Sequence, residues 1–301
     1  MSGITARCLL LVVPAILACC PAAAQAQASE WLLPRIRHYS HPQADPLSPR
    51  FGLGLLRTDL LRTRGPERLP FMLSDSADAA RDVQVTAAIG GSLPLVKLSA
   101  WPGGGAVLLA EAVAFARFRI EYPSRDELAT DWFIGLPVEV RHNDWSGRIA
   151  IMHRSAHMGD EFMIYTGADR IEFGHEALEL TAARAIDRLR LYGGGAWVFR
   201  SNTAYEMRAR GLGEHDRAEL ELGAEYQWQL GPYGEAFAGV DLQAAERTEW
   251  RTSLAAVAGA GLTHGGRAIR LMVRFHDGVS RLGEFFLTDE RYLGLELVIV
   301  P

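Results

Sequence analysis

Alternation of apolar and polar residues dominates the second half of the chain. From Ala218 to Trp228, even-numbered positions carry alanine, leucine, tyrosine and tryptophan, whereas odd-numbered positions carry mostly glutamate and glutamine. The same alternation recurs at 269–276 and 293–299. Because the side chains of a strand point alternately to its two faces, each segment predicts a β-strand with one apolar and one polar face. Strands of about 10 residues are long enough to cross a membrane.

Twelve strands are predicted in total. They lie near residues 50–58, 83–101, 105–121, 129–141, 145–157, 169–184, 187–200, 216–229, 233–245, 250–263, 266–277 and 290–300. Short turns such as Gly231-Pro232 alternate with long loops such as 278–289, as in bacterial outer-membrane barrels. The prediction is an all-β fold, a single antiparallel outer-membrane-type β-barrel of about 12 strands over residues 50–301. A secreted β-sandwich that stays in solution is the alternative. Within the strand at 83–101, Gly90-Gly91 and Pro94 are also compatible with a hairpin.

Residues 1–28 read as a cleaved signal peptide. Arg7 supplies the positive region, residues 9–18 the apolar region and residues 26–28 a small-x-small cleavage site. All three cysteines lie inside this segment, so the mature chain can be neither a disulfide scaffold nor a thiolate metal site. The residues before Cys19 weakly resemble a lipoprotein box, which is an alternative way to process the segment.

The mature chain shows no composition shift that would divide it into two domains. A formal net charge of −5 argues against a nucleic-acid partner, and no stretch reaches the ~18 apolar residues of a membrane helix. We therefore expect the outer membrane of a Gram-negative-type bacterium, with its lipids and, during biogenesis, the barrel assembly machinery as partners. Residues 29–49 either extend from the barrel or plug its lumen. The sequence leaves both placements and the oligomeric state open.

Candidate chemistry lies at the end of the fifth predicted strand. Trp145, Ile149 and Ile151 share one face at period two, and His153, Ser155 and His157 continue that face. A histidine and a serine two positions apart on one face are the base and nucleophile half of a hydrolytic triad. The predicted catalytic residues are Ser155, His153 and, as the carboxylate, Asp160; Glu161, Glu172 and Glu176 are further candidates to orient His153.

Asp160 and Glu161 are also the predicted metal ligands, if a metal is bound at all. Calcium takes about 6 to 8 oxygen ligands, and two adjacent carboxylates are too few to specify it. No cofactor is therefore predicted, with calcium as the alternative. A third interpretation is that His153, Ser155 and His157 are polar residues at the membrane interface, where their cost is about 0 to 1 kcal/mol.

Several motifs together resemble domain-of-unknown-function family 1207. The segments are residues 44–46, 49–51, 115–118, 135–141 and 155–162. The resemblance implies a secreted, barrel-like protein and leaves its activity open. Locally, His153-x-Ser155 is similar to the His-x-Ser-Asn motif on the outer wall of outer-membrane phospholipases and lipid A deacylases, although Ala156 stands in place of the asparagine.

Three functional classes follow. The first is an outer-membrane barrel with a structural or envelope role. The second is a lipid hydrolase, of phospholipase or lipid A deacylase type, that uses Ser155 and His153. The third is a narrow solute channel, because the predicted lumen-facing residues carry both charge signs. In a twelve-stranded barrel, side chains and ion pairs can fill most of the bore, which favours a plugged lumen over a pore.

Overall fold

The computed structural model describes residues 31–62, 83–121, 125–166, 170–209, 211, 217–265 and 267–300. The predicted signal peptide at 1–28 lies outside these residues. The strands are β1 (Phe51–Arg62), β2 (Val83–Trp101), β3 (Gly104–Arg119), β4 (Glu127–His142), β5 (Trp145–Met158), β6 (Phe173–Ile186), β7 (Leu189–Ser201), β8 (Ala218–Leu230), β9 (Gly234–Ala245), β10 (Ser253–His264), β11 (Arg267–Val279) and β12 (Asp289–Val300). The helices are α1 (Asp160–Thr166) and α2 (Asn202–Ala209), and single 3₁₀ turns lie at Glu246–Thr248 and Gly283–Phe285.

The strands form one closed antiparallel barrel. Each strand pairs with its neighbours in sequence, and β1 pairs with β12 to close the sheet, with Phe51 opposite Ile299. The predicted twelve-stranded, outer-membrane-type barrel is confirmed. The alternative of a hairpin within 83–101 is wrong, because β2 runs through Gly90, Gly91 and Pro94 as one strand. It absorbs the irregularity as register shifts after Pro94 and after Lys97.

The two faces of the sheet separate apolar from charged residues. On the outside, Leu271 and Leu293 expose 51% and 58% of their surface. On the inside, Arg274 and Glu296 are 3% and 4% exposed and their side chains pair, with Nε and Oε2 2.9 Å apart. An apolar band of this kind is costly in water and suits lipid. The predicted faces of β8, β11 and β12 are those observed.

The two ends of the barrel differ. At one end, here the turn end, two or three residues connect the strands, as at 143–144 and 187–188. At the other, here the loop end, the connections are longer and carry α1, α2 and the 280–288 segment. Long loops face outward in bacterial barrels, so the loop end corresponds to the cell exterior. None of the described helices combines the length and the apolar character required to cross a membrane.

The segment before β1 crosses the interior of the barrel. Arg37 pairs with Glu139 of β4, and His41 pairs with Glu111 of β3. Further along, the backbone N–H of Gln43 donates to Glu225 of β8. The carbonyl oxygens of Gln43 and Ala44 accept from Arg274 of β11, at 2.9 and 2.8 Å. These contacts with four strands set residues 37–44 across the bore and pair them with groups on its wall, while the choice between an extension and a plug for residues 29–49 as a whole stays a prediction.

Candidate functional site on the outer wall

A row of polar side chains crosses the outer face of three neighbouring strands. His153 of β5 lies opposite Glu176 of β6, which lies opposite Arg200 of β7. Nδ1 of His153 is 3.3 Å from Oε1 of Glu176, and Nη1 of Arg200 is 3.6 Å from the same oxygen. Directly opposed residues of antiparallel strands are the closest cross-strand neighbours, so the register itself brings the three groups together.

Ser155 lies one step further toward the loop end on the same face. Its neighbours across the sheet are Trp132 of β4 and Gly174 of β6. Gly174 is buried, and a Cβ atom on it would lie 3.7 Å from the carbonyl oxygen of Arg154 and 4.0 Å from Nδ2 of Asn202, so the first residue of α2 is at van der Waals distance from this position. Trp132 is 46% exposed and provides an apolar surface on the opposite side. Ser155 therefore lies between a buried glycine and an exposed aromatic side chain.

His153 and Ser155 share the outer face of β5, two residues apart, and His153 contacts a carboxylate through Nδ1. If Nδ1–H of His153 donates to Glu176, Nε2 keeps its lone pair and can accept a proton. In the described part of the chain no hydrogen bond joins His153 to Ser155, and such contacts often tighten only when substrate binds. His157 shares this face but lies opposite Thr130, with no carboxylate among its cross-strand partners.

Asp160 and Glu161 are both exposed in the first turn of α1. Among the described residues, neither forms a hydrogen bond or ion pair with His153, whereas Glu176, one of the four candidate carboxylates, does. The roles of Asp160 in the triad and of Asp160 and Glu161 as metal ligands remain predictions. Across the described residues, the acidic group compact enough to hold an ion lies elsewhere, in the lumen, and comprises Asp45, Glu221 and Asp241.

The lumen cluster is joined by hydrogen bonds of its own. Nε2 of Gln243 donates to Oδ1 of Asp45 at 3.0 Å and to Oδ1 of Asp241 at 2.7 Å. The hydroxyl of Tyr192 donates to the other oxygen of Asp241 at 2.9 Å. These bonds connect the segment before β1 to β7 and β9. Two of the three carboxylates, those of Asp45 and Asp241, therefore have a structural role.

The depth of the site follows from strand length. Trp145 begins β5 directly after a turn, is 54% exposed, and precedes Ser155 by ten residues. At about 3.4 Å per residue and a tilt of about 40°, ten residues span about 26 Å along the barrel axis. The apolar band of such barrels is about 25 Å tall. If Trp145 is placed at the inner boundary of the band, this span puts Ser155 at the outer boundary, where ester groups and head groups meet.

The 280–288 segment, here called the cap, supports the site from behind. Gly283 packs against Ala156 and Phe173, so closely that a Cβ on it would lie within 2.6 Å of both. The Gly283 N–H donates to the carboxylate of Asp131 on β4, which also accepts from Arg154 at 2.9 Å. The cap therefore fixes the lumen side of the strands whose outer side carries His153, Ser155 and Glu176.

Glu284 makes the cap sensitive to pH. Burial raises the pKa of Glu284 to about 7; Arg170, 3.4 Å away, opposes the shift, and the charges of Asp131 and Glu172 add to it. A raised pKa means that folding disfavours the ionised carboxylate. This cost is absent below about pH 4.5 and complete above about pH 7.

Glu284→Gln is therefore expected to stabilise the cap at pH 8 by about 2 kcal/mol, and to have little effect at pH 4.5. Hydrogen exchange of the amides of residues 283–288, compared with the parent protein at each pH, measures the change. At pH 8 the variant should exchange about 30-fold more slowly. An equal difference at both pH values would show that the ionisation of Glu284 is not the cause.

Comparisons with known proteins agree with this architecture. The model of the family described as "Protein of unknown function (DUF1207)" matches residues 86–299. No curated protein matches the chain. The outer membrane phospholipase of Salmonella typhi, solved as a dimer with bound calcium, superposes with a TM-score of 0.55 at 14% identity, covering 87% of this chain and 94% of that one. Outer membrane phospholipase A of Escherichia coli gives 0.55 at 15% identity, with the same coverage. At such identities the likeness shows the fold alone.

Two residues of the site could not be assigned to it from the alternation of apolar and polar positions. Gly174 carries no signal of its own, and its importance lies in its position opposite Ser155. Arg200 follows Val198, which is buried, so alternation alone directs it inward. Only the pairing of β6 with β7 shows that it lies outside.

Proposed function

The chain belongs to the DUF1207 family, and we propose that it is a lipid hydrolase of the bacterial outer membrane, with Ser155 as nucleophile, His153 as base and Glu176 as the carboxylate that orients the base. The observation that carries this proposal is the contact of Nδ1 of His153 with Oε1 of Glu176, which are 3.3 Å apart. This pair lies one step from Ser155 toward the turn end, on the same face of the sheet. A nucleophile, a base and a group that orients the base are the three parts of a hydrolytic triad.

The proposed reaction is the hydrolysis of an ester in two steps. His153 accepts the proton of the Ser155 hydroxyl as the oxygen attacks the ester carbonyl carbon of a lipid. The imidazolium then gives that proton to the departing alcohol, which leaves an acyl group on Ser155. Water, activated by the same imidazole, cleaves the acyl group and releases a fatty acid. Glu176 holds the ring and stabilises its charged form in both halves.

The location of the site supports a membrane lipid as the substrate. His153, Ser155 and Glu176 lie on the apolar outer wall, near the boundary calculated for its lipid-facing band. A lipid ester in the outer leaflet reaches this position without leaving the membrane. The lumen offers less support for a channel, because the segment at 37–50 crosses it and pairs with charges on its wall.

The test is fatty-acid release from phospholipid and lipid A micelles by refolded mature protein. The parent should release fatty acid, and Ser155→Ala should reduce the rate by at least about 1,000-fold, since the nucleophile is lost. Thr130→Ala, on the same face of the neighbouring strand, is the matched control and should retain activity. Heat-modifiable gel migration establishes that each variant is folded.

The assay is run with and without calcium and at high protein concentration. Absence of release by a folded parent under all of these conditions would reject the hydrolase and leave the structural role. Release that survives Ser155→Ala would place the chemistry at a different residue.

A further inference from the structure

A β-bulge in β7 brings Arg200 to the outer wall. Trp197 and Val198 lie opposite Leu178 and Ala177, but the register then shifts, and Arg200 rather than Phe199 lies opposite Glu176. If the register continued from Val198 without a shift, Arg200 would lie opposite His175 and point into the lumen. Bulges that redirect a side chain are common beside active sites.

The guanidinium of Arg200 is available for a ligand. Its side chain is 73% exposed, and its ionic partner among the described residues is Glu176, whose Oε1 is 3.6 Å from Nη1, beyond hydrogen-bond distance. Among the described residues, none accepts a hydrogen bond from it. Arginine presents five N–H donors in a planar fork that matches the oxygens of a phosphate group.

The surroundings of Arg200 suit a lipid. Trp197 and Phe199 expose 54% and 56% of their surface on the same stretch of β7, and both are apolar. The arginine lies in the row of His153 and Glu176, one step from Ser155 and Gly174. At the calculated depth of the outer boundary, a cation faces head groups while its aromatic neighbours face acyl chains.

We infer that Arg200 binds the phosphate of the lipid substrate, and that the substrate class is therefore a phosphate-bearing lipid ester rather than a neutral glyceride. This inference rests on the proposed hydrolase for its catalytic consequence, but the binding step can be tested separately. The phosphate of a glycerophospholipid and that of lipid A present the same chemistry to the guanidinium. Arg200 thus acts in recognition, and its proximity to Glu176 also helps to hold that carboxylate beside His153.

The binding test uses the Ser155→Ala protein in a non-ionic detergent, so that no lipid is consumed. Short-chain phosphatidic acid, lipid A and a short-chain diacylglycerol are titrated separately. Saturable binding of either phosphate-bearing lipid is expected, weakened at least tenfold when Arg200→Gln is added and largely retained with Arg200→Lys. Arg184→Gln, an exposed arginine on the outer wall at the turn end, is the matched control and should leave binding unchanged. Which of the two lipids binds identifies the source of the phosphate.

The kinetic test compares Arg200→Gln with the active parent on phosphate-bearing and neutral esters of the same acyl chain. A role in recognition raises KM for the phosphate-bearing lipid at least tenfold and leaves KM for the neutral ester unchanged. A role limited to holding Glu176 lowers kcat equally on both and overturns the inference. So does unchanged binding by the Arg200→Gln protein, or equal binding of diacylglycerol. If the parent hydrolyses nothing, the proposed function fails, while the titrations still decide the role of Arg200.

Discussion

Replacing His153 with alanine is expected to lower the rate of lipid hydrolysis by about 1,000- to 10,000-fold. The loss is large because the imidazole accepts the Ser155 proton and later delivers it to the leaving alcohol. Glu176→Ala is expected to cost less, about 100-fold, since it removes the group that orients the ring but leaves the base. Initial rates of fatty-acid release, measured on folded protein in mixed micelles, give both numbers.

The decisive comparison is with His157. It lies on the same strand and face, two residues beyond Ser155 as His153 is two residues before it. Only His153 has a carboxylate opposite it, so His157→Ala should retain activity. The double variant His153→Ala/Glu176→Ala should be no slower than His153→Ala, because Glu176 acts through the imidazole. A large loss with His157→Ala and none with His153→Ala would reverse the assignment.

Replacing Asp131 with alanine is expected to cost about 3 to 5 kcal/mol in the free energy of unfolding. Its carboxylate is completely buried and accepts hydrogen bonds from Arg154 of β5 and from the Gly283 N–H of the cap. Arg154, 5% exposed, would lose its ionic partner and remain buried between Phe133 and Phe173. An uncompensated buried charge is strongly destabilising.

Urea unfolding in detergent, followed by tryptophan fluorescence, measures this change. The pair formed by Asp277 and Arg291 is the matched control, because its side chains are 37% and 49% exposed. Asp277→Ala should cost less than about 1 kcal/mol. If Asp131→Ala does not fold, Asp131→Asn keeps the shape of the side chain and should still lower the unfolding midpoint. Equal midpoints for the Asp131 and Asp277 variants would contradict a stabilising role for the buried pair.

The strands could be predicted because one face of each strand is apolar and the other face is polar. Lipid outside and a charged interior impose period two over the whole length of a strand, so the pattern in β8 or β12 survives without knowledge of its neighbours. The irregular β2 was harder to interpret, since glycine and proline weaken a strand and also end one. In the structure, β2 stays paired with β3 along the whole stretch that contains Gly90, Gly91 and Pro94.

In the candidate site, some residues could be predicted from the sequence and others could not. His153 and Ser155 are visible in the sequence, because residues two apart on a strand share a face whatever the fold. The choice of carboxylate is harder, because Asp160 is nearer in sequence, whereas Glu176, one of three further candidates, is the one that contacts His153 in the structure. Strand β5 ends before Asp160, which begins α1, whereas β6 returns antiparallel and sets Glu176 opposite His153.

The class of fold, the number of strands, the faces of the long strands and the position of the His-x-Ser pair could all be predicted from the sequence alone. All of these depend on local periodicity, which each strand carries alone. The partners depend on tertiary structure: Glu176 beside His153, Gly174 opposite Ser155, Arg200 turned outward by a bulge, and the path of residues 37–50 through the lumen. These depend on register between strands far apart in sequence, which no single strand encodes.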